Sequence, residues 1–361
     1  MKKLLTFGSL LVALGLILQF QSCTKEELPS PTVEAPLPPS EGILALSGQP
    51  CQSPANNPVV NYTPGTTVVN IITVIDPVTG LSSNRKFRLY VPSTYNNEAY
   101  YPLVYMFHGR NQNGLRMEER TTWKALAEAN GFIVVFPKAL RYPINGQLMS
   151  HWNTPALAGQ VPPGTALFDD VHFFREMNKA IGQTLRINCS RIYTCGFSNG
   201  AHFNKKRLRI EASDIIAATS GAGNIGDAAI RLPLTGIQRP HFEVCGTRDN
   251  LTIDLCTQQG NPLTELPLGP GAINNTPCVR DRMNQLRQGM ELEMMNTITT
   301  GTHPNGRRFT DITFNTSTVG QHTEYKFRMI EDLTHKVPSS NNNFNPDYIA
   351  FFWLWLSQWE L

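Results

Sequence analysis

Two early stretches mix apolar, β-branched and polar residues in short runs bounded by turn residues. They are Thr66 to Ile75 (TTVVNIITVI) and Arg85 to Val91 (RKFRLYV). Their β-favouring content predicts two antiparallel strands. The turn between them falls around Pro77-Val78-Thr79-Gly80. Pro102 to Phe107 (PLVYMF) and Phe132 to Phe136 (FIVVF) are apolar throughout, as expected of strands covered on both faces. Between them, Leu115 to Asn130 has helical spacing and stops at Asn130-Gly131. Asp169 to Arg186 reads as a helix, with acids at its start and Val171, Phe174, Ile181 and Leu185 along one side. Arg191 to Cys195 is a further strand and Asn199 to Glu211 a helix. Short strands follow at Ile215 to Thr219, Phe242 to Cys245, Phe309 to Phe314 and Glu324 to Ile330. Asp347 to Gln358 is a closing apolar helix, and Trp353, Trp355 and Trp359 in and beside it read as packing residues.

Strand–helix alternation of this kind predicts an α/β protein: a mostly parallel central sheet with helices on both faces. Ligands of such sheets bind beyond the carboxyl ends of the strands. The ends to inspect are therefore those at His108, Ser198 and Asp249. The chain has 361 residues, 41% hydrophobic and 16% charged, enough for one large core or two modest ones. No internal repeat is visible. The formal net charge is +3 with no block of like charges, so no nucleic-acid partner is expected.

The N-terminus changes the compartment. Lys2 and Lys3 precede an apolar run from Leu4 to Phe20, then Gln21-Ser22-Cys23. A basic start, a short apolar region and a small residue before the cut make an export signal, too short for an ordinary membrane span. Cys23 directly after Ser22 resembles the lipobox of bacterial lipoproteins, in which the mature chain begins at a lipidated cysteine. Thr24 resembles those sorted to an outer membrane. Residues 1–22 are thus expected to be a lipoprotein signal peptide, and residues 23–58, rich in Pro, Ser and Glu, a tether holding the remainder off a membrane. Residues 59–361 form the folded domain. Six cysteines remain: Cys51, Cys189, Cys195, Cys245, Cys256 and Cys278. An even number in an oxidising compartment favours disulfides. Cys256 and Cys278 bracket a loop rich in Pro, Gly and Asn that a bridge would close. Cys195 and Cys245 could be neighbours in one sheet, or small buried hydrophobes. No spacing resembles a zinc site.

The chemistry centres on Thr194-Cys195-Gly196-Phe197-Ser198-Asn199-Gly200. A G-x-S-x-G turn between a strand and a helix is a nucleophile elbow. A serine hydroxyl is a weak nucleophile and needs a base, which in turn needs an orienting acid. In the α/β-hydrolase chain order, Ser precedes Asp or Glu, which precedes His. The acid candidate is Asp249, in a turn just past a strand, with Asp254 as the alternative. The base candidate is His335, after the last strand. His322 competes from the other end of that strand, and His303 reads as solvated. Charge on a tetrahedral intermediate needs pre-aimed N–H donors. The backbone N–H of Asn199 is one candidate. The loop Phe107-His108-Gly109-Arg110-Asn111 would supply the other through the backbone of Arg110, or less favourably Gly109. His108, Trp152 and His202 are candidates to contact substrate.

Taken together, several motifs resemble a family. They are Arg88-Leu89-Tyr90-Val91-Pro92, Tyr101-Pro102-Leu103-Val104 running into His108-Gly109, Asp169-Asp170-Val171-His172-Phe173, and the elbow. Cys245-Gly246-Thr247-Arg248-Asp249 and Thr334-His335 complete the set. Over about Thr66 to Leu361 the chain resembles the secreted polyhydroxybutyrate depolymerase and feruloyl esterase-like proteins. The resemblance implies an α/β-hydrolase fold, a triad of Ser198, Asp249 and His335, and no metal or organic cofactor. Departures are Ala201 where a second glycine is usual, Arg110 after His-Gly, and Lys336 after the histidine. The expected function is an exported carboxylic ester hydrolase. Its substrates would be feruloyl or acetyl esters of polysaccharide, or polyester oligomers, and its membrane contact would run through the lipid anchor. A serine peptidase of related fold and a non-catalytic surface lipoprotein are the alternatives.

Overall fold

The computed structural model describes residues 59–223, 239–294, 296–303, 305–316, 323–345 and 347–361. The expected signal peptide and tether, with Cys23, lie outside these residues, as does His322.

The two early segments pair as antiparallel strands β1 (Thr67–Ile75) and β2 (Ser82–Tyr90). β3 (Tyr101–Phe107) is buried at every position. Its alternate residues Leu103, Tyr105 and Phe107 enter one apolar cluster, and Val104 and Met106 enter another on the opposite face. Two helices, α1 (Gly114–Arg120) and α2 (Trp123–Asn130), lead to β4 (Ile133–Pro137). The single helix expected there is broken at Thr121, where the side-chain hydroxyl donates to the Met117 carbonyl. A small hairpin follows, β5 (Arg141–Ile144) and β6 (Gln147–Ser150), joined through Asn145 and Gly146, both with positive φ. That Asn-Gly pair is a strong hairpin signal.

α3 (Asp170–Thr184) is capped by the Asp169 carboxylate, which accepts from the Val171 N–H. β7 (Ile187–Phe197) runs into the elbow and α4 (Asn199–Phe203). A π-helical turn over Asn204–Leu208 and α5 (Arg209–Glu211) follow, then β8 (Ala218–Ala222) and β9 (His241–Arg248). Three helices occupy the stretch after β9: α6 (Asn250–Gln258), α7 (Pro270–Asn274) and α8 (Pro277–Gly289). The chain ends with β10 (Asn296–Thr302), β11 (Arg308–Asn315), β12 (Glu324–Thr334) and α9 (Tyr348–Leu356).

The main sheet has the order β1-β2-β4-β3-β7-β8-β9-β12-β11-β10. Pairing is parallel from β4 through β12 and antiparallel on either flank. One face packs on α3, the other on α1, α2 and α9. This is the α/β-hydrolase fold. The order reverses at β3, with β4 on one side and β7 on the other, and such a switch point leaves a crevice at the strands' carboxyl ends.

Cys256 and Cys278 form a disulfide that ties α6 to α8. Cys189 is also disulfide-bonded, to a residue outside those described. Cys195 and Cys245 are buried free thiols. They lie on β7 and β9 with β8 between them, so they are not sheet neighbours and act as small core residues. Trp353 and Trp355 pack in the core under α9. No helix among the described residues is long and apolar enough to cross a membrane.

Candidate active site

The elbow is built by close approach. A Cβ on Gly196 would lie 2.4 Å from the Gly200 backbone, and one on Gly200 would lie 2.4 Å from the Phe107 carbonyl oxygen. Both positions therefore require glycine. Ser198 adopts φ 52° and ψ −115°, a strained conformation for a residue with a side chain. Its N–H donates to the Ala222 carbonyl at 2.8 Å, which fixes the turn against β8. The unusual Ala201 has a structural counterpart. A Cβ on Gly221 of β8 would lie 2.8 Å from the Ala201 Cβ. A glycine on the strand thus leaves room for the alanine on the helix at this contact.

Three strand ends bring Ser198, His335 and Asp249 together. His335 Nε2 lies 3.0 Å from Ser198 Oγ, and His335 Nδ1 lies 2.9 Å from Asp249 Oδ2. Asp249 is fully buried and its other oxygen, Oδ1, accepts from the Thr252 N–H at 3.1 Å, capping α6. Helix capping and histidine orientation thus use different oxygens of one carboxylate. With Nδ1–H facing a carboxylate, Nε2 is the acceptor of the Ser198 hydroxyl proton, which is the tautomer a general base needs. The His335 ring packs against Phe197 at 5.1 Å, and the ring edge abuts Gly223. The imidazole is 15% exposed, open enough to exchange protons with a bound reactant. Asp254 is exposed on α6 and takes no part. His303 is buried and hydrogen-bonded to the Tyr348 hydroxyl, not solvated as expected.

The loop after β3 comes over the elbow. A Cβ on Gly109 would lie 3.3 Å from Ser198 Cβ. Among the described residues, neither the Asn199 nor the Arg110 N–H has a hydrogen-bond acceptor. The Gly109 N–H makes only a long 3.4 Å contact with Gln112 Oε1. The Arg110 side chain is exposed.

Two expected substrate contacts are corrected. His108 is fully buried: Nδ1 donates to the Gly109 carbonyl (2.7 Å) and Nε2 accepts from the Ala139 N–H (3.0 Å). Burial holds its pKa down to about 4, so it is a neutral brace for the loop with no ring nitrogen left for substrate. Trp152 is also fully buried, stacked on Phe203 with its Nε1–H donating to the His108 carbonyl at 2.8 Å. It lies beneath the cleft, not in its wall. His202 is half-buried on α4.

The Asp169-Asp170 motif also acquires a role. Asp170 is buried, pairs with Arg85 at 2.5 Å and accepts from the Asn153 N–H at 2.7 Å. It anchors the segment that carries His151 and Trp152 to the sheet. His151 was not singled out in the sequence. It is buried beside Asn199, whose Nδ2 lies 3.2 Å from both of its ring nitrogens. Among the described residues no group of three or more His, Cys, Asp or Glu is arranged to hold a metal ion.

No family model matches the chain. It is similar to the bifunctional acetylxylan esterase/xylanase of Neocallimastix patriciarum, with 27% identity over 171 residues. That match takes in 47% of this chain and 22% of the other protein, so the chain spans about a fifth of the relative's length. Among solved structures, it is similar to the acetyl xylan esterase of Aspergillus awamori at 14% identity and TM-score 0.49, covering 80% of this chain and 99% of that one. An S-formylglutathione hydrolase of Agrobacterium tumefaciens is similar at 14% identity and TM-score 0.49, covering 82% and 97%.

Proposed function

We propose that the chain is an exported serine carboxylic ester hydrolase, held to a membrane by lipid on Cys23. The observation that carries the activity is the relay Asp249–His335–Ser198, closed by hydrogen bonds of 2.9 and 3.0 Å on a strained elbow. Ser198 Oγ attacks the ester carbonyl while His335 Nε2 takes its proton. Asp249 holds the imidazole in the accepting tautomer and faces the imidazolium that forms. The N–H groups of Asn199 and Arg110 receive the oxyanion. His335 then returns the proton to the leaving alcohol, and a water activated by the same nitrogen releases the acid. No step calls for a cofactor.

Substrates are feruloyl or acetyl esters of polysaccharide, or polyhydroxyalkanoate-type oligomers. The sequence match to a protein named for acetylxylan esterase activity favours acetyl esters among these. The test is turnover of p-nitrophenyl acetate, methyl ferulate and a casein peptide by the wild type and by Ser198→Ala. Ester turnover that disappears in Ser198→Ala is expected. Ester hydrolysis surviving that substitution overturns the proposal, and peptide cleavage without ester cleavage replaces it with a peptidase.

A further inference from the structure

The two N–H groups assigned to the oxyanion belong to different elements: Arg110 in the loop after β3, Asn199 at the start of α4. Their separation must be held to a fraction of an ångström for both to meet one oxygen. Ser150, His151 and Trp152 lie between these elements and bond to both.

Toward the loop, the Asn111 N–H donates to the Ser150 carbonyl at 2.8 Å. The Ser150 hydroxyl donates to the Gln112 carbonyl at 2.6 Å. Trp152 Nε1–H donates to the His108 carbonyl at 2.8 Å. The peptide planes on both sides of the Gly109–Arg110 plane are thereby pinned. Toward the elbow, the Trp152 backbone N–H donates to Asn199 Oδ1 at 2.8 Å. His151 Nδ1–H donates to the Trp152 carbonyl at 2.6 Å. Asn199 Nδ2 lies 3.2 Å from both ring nitrogens of His151, and the Trp152 N–H on Oδ1 fixes which way the Asn199 amide faces. The Trp152 ring fills the space between, stacked on Phe203 (5.4 Å) and edge-on to Phe107 (5.0 Å). These three residues are themselves held by Asp170 through the Asn153 N–H.

We infer that Ser150 and Trp152, with the Asn199 side chain, are positioning residues: a bracket that sets the distance and angle between the two oxyanion donors. None of them touches the reacting atoms through its side chain. The inference rests on the reading of Ser198 as the nucleophile. It also accounts for a serine hydroxyl and an indole N–H buried under the site, since an apolar side chain could not donate to the Gln112 and His108 carbonyls.

The test uses the full chain with Ser150→Ala, Ser150→Thr, Trp152→Phe and Asn199→Ala. Trp152→Phe keeps an aromatic ring and removes the Nε1–H. Steady-state kinetics on p-nitrophenyl acetate are paired with inhibition by an aryl trifluoromethyl ketone, whose adduct presents a tetrahedral oxyanion. The expected result is a fall in kcat of about tenfold or more for Trp152→Phe and Asn199→Ala and a smaller fall of about threefold for Ser150→Ala, which keeps the Ser150 carbonyl on the Asn111 N–H, with KM within about threefold throughout. The inhibition constant should rise by the same factor as kcat falls, and Ser150→Thr, which keeps the hydroxyl, should stay near wild type. Folded variants with kcat within about twofold of wild type, or a loss confined to KM with unchanged ketone affinity, overturn the inference. Should Trp152→Phe not fold, Asn199→Ala decides, with the two Ser150 variants beside it. Ser198→Ala run alongside separates the two claims: activity surviving there sinks the nucleophile assignment, whereas an inactive Ser198→Ala beside fully active bracket variants sinks only the bracket.

Discussion

Replacing Gly246 by alanine should disable the site from a residue that touches no substrate. Gly246 lies on β9, three residues before Asp249. Leu333 lies on the adjacent strand β12, two residues before His335. The parallel register of these strands shifts between Ile330 and Thr334, and Asp332 within the shift has φ +58°. The bulge pushes β12 onto Gly246, where a Cβ would lie 1.8 Å from the Leu333 carbonyl oxygen and 2.4 Å from its carbon. A tolerable approach begins near 3.0 Å, so the strand ends must part by about 1.2 Å. Both obstacles are backbone, and no rotamer change relieves them. Transmitted to the site, that displacement takes the Asp249–His335 contact from 2.9 Å to about 4 Å, beyond hydrogen-bond length. Misplacement of about 1 Å at a catalytic group costs on the order of 100-fold in rate. Overpacking of this kind costs roughly 1–3 kcal/mol in stability. The measurements are kcat and KM on p-nitrophenyl acetate and the urea midpoint, for wild type and Gly246→Ala. A kcat within about threefold of wild type in a folded variant refutes the coupling of this strand contact to the triad.

Other positions give independent checks. Gly221→Ala should destabilise by roughly 1–3 kcal/mol through collision with Ala201, and adding Ala201→Gly should restore most of it. A double-mutant cycle in urea with no coupling between the two sites contradicts this account of the contact. Breaking the Cys256–Cys278 bridge, which spans 22 residues, with Cys256→Ser/Cys278→Ser should cost about 3 kcal/mol on the loop-entropy estimate. Unchanged stability would mean that the α6–α8 packing suffices without it. His108 is protonated more readily unfolded than folded, because burial lowers its pKa to about 4. Its stabilising contribution is therefore present above about pH 6.5 and is lost as pH falls toward 4, about 3 kcal/mol in all. Urea titrations across that range should show a steeper acid loss for wild type than for His108→Gln, and equal slopes refute the assignment.

The framework was legible wherever burial is two-sided. β3 and β4 announce themselves as unbroken apolar runs because both faces are covered. The elbow was legible because the glycine at 196 and the glycine at 200 answer a steric demand that few residues meet. Asp249 and His335 were singled out by their positions at strand ends, and the structure brings both into a hydrogen-bonded chain with Ser198. What escaped has physical reasons. α7 and α8 begin with Pro270 and Pro277, where proline suits a first helical turn but reads as a breaker in a loop-like composition. α8 also buries Arg282 and Arg287, which blunts its apolar stripe. β10 (NTITTGT) is a polar edge strand with little periodicity to read. His108 and Trp152 were placed correctly along the chain but not in depth. Sequence shows that a residue is near a strand end, not that both ring nitrogens of a histidine are already committed to backbone. The bracket at Ser150 to Trp152 follows from contacts between segments far apart in sequence, and the Asn145-Gly146 turn was its one local sign.

The central claim is that Ser198 is a nucleophile activated by His335. A fluorophosphonate probe forms a stable bond to an activated serine Oγ, and intact-mass and peptide mass spectrometry locate it. The account predicts one probe per chain, on the peptide holding Ser198, with labelling abolished in Ser198→Ala and strongly slowed in His335→Ala. Labelling of another serine, or none at all in folded wild-type protein, would contradict it.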